Sequence, residues 1–114
     1  MDPHFDGVIF KTHAAEVRRR IGRSFPPYCV VDVRPREDWE RGHIPGAVSE
    51  KDRGPALPAG TTERTELIVV GAQPEDPAMR VASLDLRRLG AHRVVEMTGG
   101  MTEWALAGYP TEKA

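Results

Sequence analysis

The chain has one cysteine, almost no net charge and no long apolar run, and each shortage closes off a class of function. Cys29 is the only cysteine in 114 residues, so no internal disulfide can form and a reducing compartment is expected. Sixteen Lys and Arg against seventeen Asp and Glu leave a formal charge of -1, which offers no general attraction to nucleic acid or to an anionic membrane. No apolar stretch approaches the roughly 18 residues of a membrane span. The start carries Asp2, His4 and Asp6 instead of a basic segment followed by an apolar block, so it does not read as a signal peptide. The expectation is a soluble cytoplasmic protein, one domain over residues 1–114.

A second absence is local. Ile68-Val69-Val70 is an apolar β-branched run that stops at Gly71, and a helical pattern follows from about Met79 to Leu89. A loop between strand and helix is a natural anion cradle, because backbone amides and the helix N-terminus converge there. The loop reads Gly71, Ala72, Gln73, Pro74, Glu75, Asp76, Pro77, Ala78, and no Cys, Ser or Thr lies between Glu66 and Ala82. It has the outline of a catalytic loop without a nucleophile or a closing cation. Two carboxylates in such a loop repel anions. At an effective dielectric near 20 and about 6 Å, each repulsion is on the order of 3 kcal/mol before screening. That exceeds the helix-terminus attraction of about 0.3–1 kcal/mol. Glu75 and Asp76 are therefore expected to cap the helix or face water, with contact to a partner as the alternative.

The rest of the chain alternates strand and helix patterns. Val8-Ile9-Phe10 reads as a brief strand. Thr12 is placed to cap a helix running to about Ile21, with Ala14, Val17 and Ile21 on one face. Arg18, Arg19 and Arg20 end that helix; with no aromatic or second basic cluster beside them they read as a solvated end, not a phosphate patch. Tyr28 to Val33 is a central strand, Glu37 to Arg41 a helical turn, and residues 42–48 a turn into a short strand. Residues 49–65 read as an exposed loop. Leu67–Val70 and Val94–Met97 are further strands, and Met101 to Ala107 is a final helix stopped by Gly108-Tyr109-Pro110. This order predicts an α/β fold, a central parallel sheet flanked by helices on both faces.

Three segments together resemble the rhodanese homology domain. They are Val30-Val31-Asp32-Val33-Arg34 with Glu37, Trp39 and Gly42-His43-Ile44-Pro45-Gly46-Ala47; the strand Leu67–Val70; and Leu89-Gly90, Val94-Val95, Gly99-Gly100, Trp104 and Gly108-Tyr109-Pro110. The resemblance implies a rhodanese-like fold over nearly the whole chain. Active members carry sulfur as a persulfide on a loop cysteine, held by loop amides and an arginine. The family nucleophile position corresponds to Ala72, and Arg80 is the nearest cation. The resemblance thus implies a domain that lacks its active-site cysteine and works as a protein-binding or regulatory module. The alternatives are a sulfurtransferase using an atypical site and an anion-sensing domain.

Single residues fit that reading. Cys29, inside a strand, behaves as a small apolar side chain. Asp32, Arg34 and His43 are expected to brace loops; His43 has no second ligand at metal spacing, and His4, His13 and His92 are scattered. Trp39 and Trp104 are expected in the core. No metal or cofactor is expected, and the partner class is protein, not nucleic acid or membrane.

Overall fold

The β-branched runs of the sequence form the middle of a five-stranded sheet. In the computed structural model, which describes residues 9–23 and 25–114, the strands are β1 (Phe10–His13), β2 (Tyr28–Asp32), β3 (Val48–Ser49), β4 (Glu66–Val70) and β5 (Arg93–Thr98). Every pairing is parallel and the spatial order is β1-β5-β4-β2-β3. The helices are α1 (Ala14–Arg20), α2 (Arg36–Arg41), α3 (Pro77–Arg88) and α4 (Gly100–Leu106), with a short 3-10 turn at Glu50–Asp52. Val8, His4 and the other starting residues lie outside the described residues.

Strand β4 is the centre of the molecule. Leu67, Ile68, Val69 and Val70 are all at most 1% exposed, because strands pair on both sides and helices cover both faces. Its side chains alternate between two cores, as the pleat requires. Ile68 and Val70 pack with Ala14 and Val17 of α1 and Met101 and Trp104 of α4. Leu67 and Val69 pack with Met79, Ala82 and Leu86 of α3.

Four expectations need correction. Thr12 does not cap α1: it sits in β1, paired with Met97, and His13 takes the cap position without a side-chain bond. Strand pairing, strengthened by the Thr98 hydroxyl donating to the Thr12 carbonyl at 3.0 Å, outcompetes a local cap. Helix α3 begins at Pro77, two residues earlier than expected, because Asp76 caps it and Pro77 brings a preset helical φ. The 49–65 segment is not merely an exposed loop. Arg53, its side chain 4% exposed, bonds Glu50 and the Asp85 carboxylate of α3, while Pro58 is buried and Leu57 packs on the α3 core. Trp39 is only half-buried and stays out of both cores; it donates from Nε1 to the Ala47 carbonyl at 2.9 Å.

Trp104, by contrast, is fully buried, donates to the Pro110 carbonyl at 3.0 Å and meets Tyr109 edge-on. Trp104→Ala is expected to lower unfolding free energy by about 3–5 kcal/mol, the usual cost of removing a buried large aromatic. Chemical denaturation checks this; a loss below about 1 kcal/mol would take Trp104 out of the core account.

Candidate functional site: a loop closed on its own carboxylate

The loop leaving β4 lies at the C-terminal edge of the sheet, where open α/β folds place their ligands. It is clamped from below by α4. The Gly71 carbonyl accepts from Met101 N–H at 2.9 Å, and the Ala72 carbonyl accepts from both the N–H and the hydroxyl of Thr102 at 3.0 Å. That approach requires Gly100, whose φ is +61° and where a Cβ would lie 2.8 Å from the Ala72 backbone.

Inside the loop the main occupant is Asp76. Its Oδ2 accepts from Ala72 N–H and its Oδ1 from Ala78 N–H, each at 3.0 Å. A Cβ on Gly71 would sit 2.8 Å from this carboxylate, so glycine is the residue that lets Asp76 turn inward. One side chain thus caps α3 and ties the first loop amide. Gln73, Pro74 and Glu75 form the exposed tip, and Glu75 holds φ at +61°, a left-handed conformation costly for a non-glycine residue.

Among the described residues no ion pair reaches Glu75 or Asp76. Arg80 points to the sheet edge, where its Nε and Nη2 donate to Glu96 at 2.8 and 2.9 Å, and Lys11 adds a bond at 3.1 Å. Glu96 is 1% exposed. The Arg80 guanidinium holds its carboxyl down to about 2, against the opposing push of burial. Sequence reasoning missed Glu96; its signal was a lone acid within Val94-Val95-Glu96-Met97.

The other singled-out residues assemble beside β2. Asp32, buried at the strand end, accepts from Arg34 N–H at 3.0 Å and from its Nη2 at 2.8 Å. The same guanidinium donates to the Gly42 carbonyl at 2.7 Å. His43 is buried, with Nδ1 at 2.7 Å from the Trp39 carbonyl, its ring stacked on Trp39 at 4.4 Å, and Nε2 at 3.4 Å from Glu112. Glu112, which the sequence did not suggest, also accepts from Gly46 N–H at 2.8 Å and bridges His43 through the backbone. Asp32, Arg34 and His43 thus form one braced region around the 42–47 turn, and none of their described bonds reaches the loop from Gly71 to Asp76.

Cys29 lies elsewhere. It pairs in register with Leu67, three residues before Asp32, roughly 10 Å along the strand from the loop edge. It is half-buried, and burial pushes its thiol up from the ordinary range. Among the described residues no group of three or more His, Cys, Asp and Glu could hold a metal, and no helix is long and apolar enough to cross a membrane.

The Rhodanese-like domain family model matches residues 13–107. The chain belongs to the rhodanese-like domain family. A relative by sequence is the HTH-type transcriptional regulator Rv0324 of Mycobacterium tuberculosis, 33% identical over 101 residues. The match covers 87% of this chain, which spans only 43% of that regulator's length. Among solved structures, the BH2092 protein of Bacillus halodurans superposes with a TM-score of 0.77 at 24% identity, covering 91% of this chain and 77% of the other. A thiosulfate sulfurtransferase of Pseudomonas aeruginosa gives the same TM-score and identity, covering 94% of this chain and 20% of its own. At that identity both comparisons speak to the rhodanese-like fold alone.

Two predictions follow from the site. Asp76→Ala is expected to cost about 1–2 kcal/mol through the lost cap, whereas Glu75→Gly should be neutral or stabilise by up to about 1 kcal/mol. Denaturation of both variants checks this, and stabilisation by Asp76→Ala would contradict the inward bond. Glu96 has its folded pKa of about 2 below the ordinary 4.5, so its contribution is full above about pH 4.5 and is lost as pH falls toward 2. Glu96→Gln should therefore be less stable than wild type by about 1–3 kcal/mol near neutrality. That gap should close across the acid window, and a gap constant with pH would refute the pairing.

Proposed function

We propose that this chain is a catalytically inactive rhodanese-like domain acting as a protein-binding or regulatory module. The observation that carries the reading is the Asp76 carboxylate on the Ala72 and Ala78 amides. The position that corresponds to the family nucleophile holds a methyl group, which cannot attack sulfur. Two amides of the loop, those of Ala72 and Ala78, are already engaged by an internal negative charge.

The same geometry weighs against the alternatives. An anion sensor needs open amide donors, and an incoming anion here must displace or neighbour Asp76. A sulfurtransferase using Cys29 needs an accessible thiolate, yet that thiol is half-buried, raised in pKa and distant from the loop. The regulatory side of the reading is supported by the sequence relative that is an HTH-type transcriptional regulator. The contact surface we assign is the exposed tip Gln73-Pro74-Glu75 together with exposed parts of the 49–65 segment.

Purified protein is expected to transfer no measurable sulfur from thiosulfate to cyanide. Ala72→Cys alone should not restore it, because the adjacent carboxylate keeps the new thiol at or above the free value of about 8.5. A thiol pKa well below that value, or robust wild-type turnover abolished by Cys29→Ser, would overturn the reading. A protein captured from the native host by wild type and lost with Gln73→Arg would support the assigned surface.

A further inference from the structure

Helix α3 buries one face and leaves an apolar stripe on the other. Met79, Ala82 and Leu86 enter the core. At 3.6 residues per turn, Pro77, Val81, Leu84 and Arg88 fall on the opposite side, at helical spacings of four, three and four. Val81 is 67% exposed and Leu84 is 39% exposed. Exposed apolar residues scattered singly need no explanation, but consecutive ones along one helix stripe do.

The stripe has a charge at each end. Glu75 precedes the helix and Arg88 is its last residue. Both are exposed, and among the described residues neither side chain has a hydrogen bond or ion pair. The other charges of this helix are engaged: Arg80 with Glu96, Asp85 with Arg53, and Asp76 with the loop. In chain order the free groups therefore read negative, apolar, apolar, positive.

An order of that form is complementary to itself when reversed. We propose that α3 is a docking surface for a second copy of this chain, with the two helices packed antiparallel across a two-fold axis between Val81 and Leu84. Val81 of each copy then faces Leu84 of the other. Arg88 of each lies over the start of the opposing helix, within reach of its Glu75. Parallel packing would set Glu75 against Glu75 and Arg88 against Arg88, so charge selects the antiparallel order. An isologous contact requires one surface that complements itself, which this stripe supplies. A single helix face is small beside the roughly 1,200–2,000 Å² of standard stable interfaces, so the association is weak and salt-sensitive. The inference does not rest on catalytic inactivity: a working sulfurtransferase could carry the same stripe.

Sedimentation across a concentration series, at low and high salt, tests it on the full chain. Wild type should show a monomer–dimer equilibrium that salt weakens. Leu84→Glu should be monomeric with unchanged circular dichroism. Glu75→Arg and Arg88→Glu should each weaken the dimer several-fold, and the two together should restore it, because each reversed charge meets a reversed partner. Wild type that stays monomeric at every concentration overturns the proposal and leaves the stripe to a partner of different sequence. A dimer that survives Leu84→Glu, or charge reversals that fail to rescue each other, overturns it equally.

Discussion

The bond pair from Asp76 to the amides of Ala72 and Ala78 organises the functional end of this domain. It sets where α3 begins and explains the glycine at position 71. A carboxylate held by two backbone donors at a helix N-terminus is in a favourable electrostatic setting. The physics that makes such loops attractive to substrates also makes them attractive to a side chain of the protein itself. Here the internal anion has the advantage of being tethered, since its positioning cost is met during folding.

The same device recurs around that edge. Asp32 ties the exit of β2 through Arg34 and onward to Gly42. Glu112 holds the 42–47 turn through Gly46 and His43. Glu96 joins β5 to α3 and to the edge strand β1 through Arg80 and Lys11. Each carboxylate is placed where a strand or turn would otherwise end with open donors or a free cation. The result is a rhodanese-like scaffold whose polar groups at this edge are directed largely at one another. The loop tip and the outer face of α3 remain exposed.

The middle of the sheet was legible in the sequence because Tyr28–Val33, Leu67–Val70 and Val94–Met97 are runs rich in apolar β-formers. Misreadings came where tertiary contacts decide between local options. Thr12 has the chemistry of a cap, but Met97 and Thr98 draw it into a strand. Residues 49–65 look polar and turn-rich, and only the fold brings Arg53 to Asp85 on a distant helix. Trp39 is apolar enough for a core, but its ring finds His43 and its indole N–H finds Ala47 first. At the candidate site, the absence of Cys, Ser and Thr from Gly71 to Ala78 was readable from residue types alone. The inward turn of Asp76 was not, because capping and filling the loop use the same residue and differ only in side-chain direction.

The central claim is that the Ala72 and Ala78 amides are satisfied from within. Amide-resolved NMR during a titration with sulfate and then thiosulfate measures this directly. The account predicts that the Ala72 and Ala78 N–H resonances stay in place through both titrations at neutral pH. Saturable movement of those two amides with either anion at neutral pH would contradict it.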